Sequence, residues 1–306
     1  GGTVNIVTKA TEKKEGGFVR YLTGNDSYQK QTIGYNTGMK GKWGASFMFD
    51  NWSAHRSFAR GTEGKGQSYF VSVGFKPNAR HTFNFMIFGA PQEHGQNYSK
   101  PMDTQYRNIK VNGVNKSIIA TPGYDITGRL GNSNYGFYNG ESLSAKTNYY
   151  HKPVANLNWD FTINENLSLS TVIYASTGTG GGTSTLGNGP GYTDGGYKSN
   201  GEIDWDVIAA KNQELKDGIS NGNNGTVLAS SVNNHFWYGG VSNLTFDTKK
   251  GFVFNVGTDL RFYQGEHYQQ LNNLLGASRR AASNVQRSKD YVVNKTFSSS
   301  PRSEEH

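Results

Sequence analysis

The stretch QSYFVSVGFKPNARHTFNFMIFG, Gln67 to Gly89, holds two alternating runs around a tight polar connection. In the first run Tyr69, Val71, Val73 and Phe75 alternate with Ser68, Ser72 and Gly74. In the second, Phe83, Phe85 and Ile87 alternate with Thr82 and Asn84. A period of two throws successive side chains to opposite faces, so each run reads as a β-strand with one apolar face and one small or polar face. The joining PNAR, Pro77–Arg80, is turn chemistry.

The same pattern continues on both sides of this hairpin. Gly17–Asn25, Gln31–Gly38 and Trp43–Trp52 precede it, while Pro153–Phe161, Leu167–Ser176, Phe236–Asp247 and Phe252–Tyr263 follow, making nine strands in all. In the last of these, Phe254, Val256, Leu260 and Phe262 oppose Asn255, Gly257, Asp259 and Arg261. Most strands are about 9–12 residues, enough to cross a bilayer at a tilt and longer than the usual globular strand. Gly1–Ala10 (GGTVNIVTKA) alternates too, Val4, Ile6 and Thr8 against Asn5, Val7 and Lys9, and reads as one further strand.

A soluble sandwich and a membrane barrel share this alternation, and the connections separate them. Lys40–Lys42, Pro77–Arg80, Thr162–Asn166 and Thr248–Gly251 are short. Ser53–Gly66, Ala90–Lys152, Thr177–His235 and everything from Gln264 to His306 are long. Short and long connections alternate from the second strand onward, so a meander collects every long loop at one end. That is the plan of outer-membrane barrels, with short periplasmic turns and long extracellular loops. The expected fold class is therefore all-β, an antiparallel up-and-down transmembrane β-barrel. Nine strands leave an open edge, which a closed barrel cannot have, so the chain reads as an internal piece of a larger barrel.

Composition agrees. With 40 Gly, 40 aromatic residues (17 Phe, 18 Tyr, 5 Trp) and only 7 Pro in 306 residues, the chain suits neither long helices nor disorder. It has no Cys, which excludes disulfides, thiolate metal sites and thiol catalysis. A mean hydropathy of −0.68 is compatible with a barrel whose faces average out. The net charge of +8 is spread among interspersed acids, so no nucleic-acid partner is expected.

The loops hold few chemical signals. The Gly-rich Thr177–Gly196 fits neither phosphate-binding pattern, since no Gly-Lys-Ser/Thr follows and the glycine spacing misses G-x-G-x-x-G. It reads as a flexible surface loop. Glu202–Gln213 (EIDWDVIAAKNQ) reads as a short helix with Ile203, Val207 and Ala210 on its inner face and acids in its first turn. Tyr98, Tyr106, Tyr124, Tyr135, Phe137, Tyr138, Tyr149 and Tyr150 crowd the Ala90–Lys152 loop. They read mainly as loop packing or interfacial aromatics, with stacking on a ligand as the sharper alternative. The histidines at 55, 81, 94, 151, 235, 267 and 306 form no close ligand pair, and no nucleophile elbow occurs. No catalytic, cofactor-binding or metal-ligating residue is assigned, ligand-contacting residues stay unknown, and no enzyme is expected.

GGTVNIVTK resembles the closing strand of the plug domain in TonB-dependent outer-membrane receptors. FGAPQEHGQ (Phe88–Gln96), STGTGGGTSTLG (Ser176–Gly187) with EIDWD, and GTDLRFYQGEHY (Gly257–Tyr268) resemble the Bacteroidetes members of that family. The resemblance implies that residues 1–14 end a plug domain and residues 15–306 are part of a 22-stranded barrel. It implies import of a scarce nutrient through the outer membrane, an iron-siderophore before a glycan or cobalamin, using energy from TonB-ExbB-ExbD. Partners would be a metal chelate or oligosaccharide, outer-membrane lipids and, in some members, a surface lipoprotein. The TonB-contacting segment and most of the plug are not within this sequence. The alternative reading is a surface-displayed adhesive or structural barrel without transport.

Overall fold

The computed structural model describes residues 10–55, 59–97, 105–121, 130–189, 196–198, 201–281, 292–293 and 302–305. Its centre is one antiparallel sheet in which nine long strands follow chain order: β1 (Gly16–Gly24), β2 (Tyr28–Lys40), β3 (Trp43–His55), β4 (Glu63–Phe75), β5 (His81–Gly89), β6 (Val154–Thr162), β7 (Leu167–Gly187), β8 (Thr226–Asp247) and β9 (Val253–Asn273). The expected strands each lie within or closely overlap these nine, and the meander is up-and-down throughout. The four-residue Arg302–Glu305 pairs with β9 beyond them.

The alternation sorts as the sequence demands. One face carries an apolar row at matched register: Tyr35, Phe47, Val71, Ile87, then Tyr238 and Phe262. Many residues of this face are exposed, Ile173 59% and Leu260 64%, so no protein core covers it. The opposite face carries small and polar residues, and Ser46, Asp50, Ser72 and Asn84 are buried there. An apolar face against solvent and a polar face inside invert the soluble pattern, as a barrel in lipid requires. Near the short turns Trp43, Phe75, Phe83, Trp159, His81 and Phe161 form a ladder, with Trp43 and Phe75 centroids 4.2 Å apart and His81 and Phe161 also 4.2 Å apart. Such a belt matches the interfacial girdle of membrane barrels.

The turns at this end are closed by side chains that cap backbone donors. Asn78 Oδ1 accepts from the N–H groups of Arg80 (2.9 Å) and His81 (3.1 Å), an Asx turn. In the last turn, Lys249 takes φ +57 and its N–H donates to Asp247 Oδ1 at 2.7 Å.

The long-loop end corrects several expectations. Strands β7, β8 and β9 are 21, 22 and 21 residues long, about 70 Å of chain where about 10 residues suffice to cross a bilayer. The Gly-rich stretch is therefore strand through Gly187, rather than a flexible loop. It is pinned between β8 and Thr147–His151, and a Cβ on Gly180 would come within 2.9 Å of Tyr150 Cβ. The Ala90–Lys152 connection also contains sheet: Gln92–Gly95 pairs with β4 and with Thr147–His151, which pairs in turn with β7. The wall thus continues upward beyond β5 and β6 through these two short strands. Likewise β3 reaches His55, β4 begins at Glu63 and β9 reaches Asn273, so the loops expected at 53–66 and from 264 are shorter than sequence alone implied.

Helix α1 (Trp205–Gln213) lies where a helix was expected, with Asp204 as N-cap accepting from Val207 N–H at 3.2 Å. Its inner face differs. Trp205, Ile208, Ala209 and Asn212 are buried, while Ala210 is exposed and Val207 only partly covered. Asn212 explains the difference: a polar residue was not counted toward an apolar face, yet its amide occupies the i+7 position from Trp205. The expected plug-end strand Gly1–Lys9 lies outside the described residues. The following turn, Ala10–Glu12, packs on β2, β3 and β4.

Candidate functional site

Among the described residues, a small core forms at the long-loop end. Trp205, Ile203, Ile208, Leu228, Leu275 and Ala145 are buried together, and the Trp205 indole donates to the Leu143 carbonyl at 3.0 Å. Asn212 ties the helix to the start of β8 and to the turn after β9: its Nδ2 donates to the carbonyls of Thr226 (2.6 Å) and Leu275 (2.7 Å), and its Oδ1 accepts from Thr226 N–H at 3.1 Å. Every polar atom of this buried amide is used, so it fixes the helix in one orientation.

A second junction joins four loop segments. Asn132, fully buried, donates to the carbonyls of Arg60 (2.9 Å) and Gln96 (3.1 Å) and accepts from Asn134 N–H (3.0 Å). Arg60 Nη1 reaches Glu202 Oε1 at 2.6 Å, beside the helix start, with the Glu202 side chain 7% exposed. A buried carboxylate needs such a partner. Elsewhere in this region Arg280 gives Nη1 to Ser220 Oγ at 3.2 Å and to the Asn221 carbonyl, and burial pushes its guanidinium down from its ordinary value.

Beneath these loops the wall overhang borders an open cleft of about 790 Å³, a size usual for small-molecule sites. Its lining comes from β3 and β4 (His55, Glu63, Lys65), from the short strands (Glu93, His94, Tyr149) and from Tyr135. His55 Nε2 lies 3.0 Å from Glu63 Oε1, and Lys65 Nζ 3.8 Å from Glu93 Oε2. These groups offer hydrogen bonds of both senses and two aromatic faces. Among the described residues no cluster suited to a metal ion occurs.

Deeper on the same inner face, Tyr174, Trp237, Arg261 and Tyr263 sit at adjacent register positions of β7, β8 and β9. Arg261 Nε donates to Tyr174 Oη at 3.2 Å, its guanidinium lies 5.6 Å from the Trp237 ring, and the Tyr174 and Trp237 centroids are 5.2 Å apart. Sequence reasoning placed Arg261 on the polar face but passed over Tyr174 and Trp237. Their parity against Ile173 and Ala175 was the available signal.

The tyrosines expected to pack loops divide. Tyr135 is buried, with Phe137 edge-on at 5.5 Å, while Tyr106 is 68% exposed on the separate hairpin Gln105–Thr121. Tyr149 and Tyr135 line the cavity. Tyr98 and Tyr124 lie outside the described residues, as does His306. The other histidines are dispersed: His81 belongs to the aromatic ladder, His151 Nε2 meets Tyr69 Oη at 2.9 Å, His235 stacks on Tyr263 at 6.2 Å and His267 Nδ1 meets Asn233 Oδ1 at 2.6 Å. Of the described histidines, His55 and His94 reach the cavity.

Among solved structures, 96% of the chain superposes on the ferric-catecholate import receptor Fiu of E. coli K12 in its closed form, at TM-score 0.54 and 12% identity. The fold is that of an outer-membrane receptor barrel. The open form of Fiu gives TM-score 0.53 at 12% identity over 94% of the chain. The siderophore receptor PiuA of Acinetobacter baumannii gives 0.53 at 13% over 86%. The chain spans 38%, 40% and 32% of those three chains. No protein-family model and no curated protein matches it. The neighbours come from E. coli and Acinetobacter, so the Bacteroidetes type read from the loop segments gains no support from them. No helix among the described residues is long and apolar enough to cross a membrane.

Proposed function

We propose that the chain is part of the barrel of a TonB-dependent receptor that imports an iron-siderophore through the outer membrane. The observation that carries the reading is the superposition of nearly the whole chain on part of a ferric-catecholate import receptor. The outward apolar band and the cavity beneath the long loops support it. In this reading the apolar face meets lipid, the long loops face outward from the cell, and the cavity takes the arriving chelate through hydrogen bonds and aromatic contacts. A barrel of 22 strands has a lumen that its own side chains cannot fill, so a plug closes it and TonB-ExbB-ExbD drives its rearrangement. No catalysis is proposed.

The test is growth of a strain lacking the full-length gene on defined sources. Loss of growth on one ferric siderophore, restored by the intact gene, is the expected result. Unchanged growth on every ferric chelate, with a defect on cobalamin or a glycan, overturns the iron assignment. No defect on any source, with loss of surface adhesion, overturns import itself.

A further inference from the structure

The cap takes in two arginines and treats them differently. Arg60 meets the carboxylate of Glu202 at 2.6 Å. Arg280 is 7% exposed, yet both of its partners are neutral: Nη1 donates to Ser220 Oγ at 3.2 Å and to the Asn221 carbonyl. Among the described residues no carboxylate pairs with it, and burial alone moves its guanidinium from its ordinary value. A cation taken out of water without an opposite charge is strongly unfavourable. Its Nε and Nη2, the edge that forks onto a carboxylate, make no hydrogen bond among the described residues. Ser46 Oγ and Ser72 Oγ also lack partners but are sealed from solvent, whereas Nε and Nη2 are not.

The chain around Arg280 explains why that edge is left open. Arg279–Ala281 is the middle strand of a small sheet, parallel to Ile219–Ser220 and antiparallel to Val292–Val293. Register sets Arg280 opposite Ser220, itself fully buried. The residues after Ser220 form an Asx turn: Asn221 Oδ1 accepts from the N–H groups of Asn223 and Asn224, both at 2.8 Å, and Asn221 N–H donates to the Asn224 carbonyl at 2.7 Å. With its side chain closing the turn, Asn221 has its carbonyl free to hold Nη1. On the other side Gly187 takes φ +98, and a Cβ there would stand 3.2 Å from Nη1 and clash with the Gly225 carbonyl. Pinning Nη1 fixes the planar group and leaves the Nε–Nη2 edge as the open one.

We infer that Arg280 anchors an oxyanion site in the cap, and that its ligand is a carboxylate held by Nε and Nη2 together. A carboxylate is planar and presents two oxygens at the spacing of that edge. Its single negative charge matches one unpaired guanidinium, whereas a phosphate dianion leaves a second charge unmatched. Arg279 does not supply the difference: it is exposed, with Nη2 turned to the Asp217 carbonyl at 3.5 Å. The ligand neutralises a charge that packing buries, so its binding and the order of the small sheet are linked. Arg280 is not among the residues lining the cleft, and the site holds whatever ligand is imported.

Hydrogen exchange on the full-length protein in detergent tests this, in chloride, acetate and phosphate at one pH and ionic strength. Acetate at ten times its dissociation constant is expected to slow exchange across Ile219–Asn224 and Arg279–Ala281 by about tenfold. The hairpin of Tyr135–Tyr138 and Glu141–Ser144 is expected to stay unchanged. Equal rates in acetate and chloride at every concentration overturn the site, and equal slowing in that hairpin marks a general salt effect and overturns it too. Greater slowing in phosphate than in acetate overturns the carboxylate assignment. Arg280→Lys keeps the charge but loses the fork, and Arg280→Gln removes the charge; both are expected to abolish the acetate response. A full response in either variant contradicts the assignment. Should both variants lose the cap, the unsubstituted protein in the three salts still decides. The readout does not depend on uptake, so its failure is distinct from failure of the import reading.

Discussion

The lower wall and the cap at the long-loop end are built from the same chain by opposite rules. In the wall, β1 to β9 expose apolar side chains outward, and β2 to β5 bury small polar ones inward, Thr32, Ser46, Ser72 and Asn84. In the cap, Trp205, Leu228 and Leu275 are buried and the charges other than Arg280 sit at the edges or in pairs such as Arg60–Glu202. The backbone ladder holds the wall, so a side chain lost from its outer face removes little from the protein itself. The cap has short strands and one helix, and it depends on packed side chains. The site lies where the two meet, floored by strand overhangs and roofed by the cap.

This contrast can be broken in graded steps. The largest effect is expected from Trp205→Ala, which empties the centre of the cap core at a cost of about 3–5 kcal/mol. Limited proteolysis should then cut the cap while the barrel keeps its heat-modifiable mobility, and simultaneous loss of both would join what the account separates. Next comes Ile173→Arg on the outer band, expected to cost about 2–4 kcal/mol on refolding into lipid vesicles. Asn158→Arg on the inner face should cost far less, and equal penalties would mean that both faces see the same medium. Asn212→Ala strands the Thr226 and Leu275 groups that it satisfies, for about 1–3 kcal/mol, read as faster amide exchange at the start of β8. The smallest is Asp204→Ala, about 1 kcal/mol of cap stability through loss of the helix N-cap.

The same division decided what was legible. Period-two runs such as Tyr69–Phe75 and Phe83–Ile87 marked the nine long wall strands, because the contrast between faces is strong there, but not the short strands Gln92–Gly95 and Thr147–His151. Thr177–Gly187 was misread since glycine erases the contrast, and its strand is imposed by neighbours on both sides rather than by propensity. Helix α1 was visible from its acidic start and its spacing, but its buried face was not, since that face includes Asn212. The cavity escaped altogether. Its lining is gathered from β3, β4, Gln92–Gly95, Tyr135 and Thr147–His151, positions that only the register brings together.

The central claim is that an apolar band lies in lipid between a surface-exposed cap and turns on the far side. Single cysteines test it most directly, with a membrane-impermeant thiol reagent on intact cells carrying the full-length protein, the unsubstituted protein serving as the labelling control. Val114→Cys on the hairpin is expected to label in intact cells, and Lys250→Cys in the last turn only after permeabilisation. Phe85→Cys on the outer band is expected to label in neither, and to be quenched only by a lipid-soluble probe. Labelling of Phe85→Cys in intact cells, or of Lys250→Cys before Val114→Cys, would contradict the account.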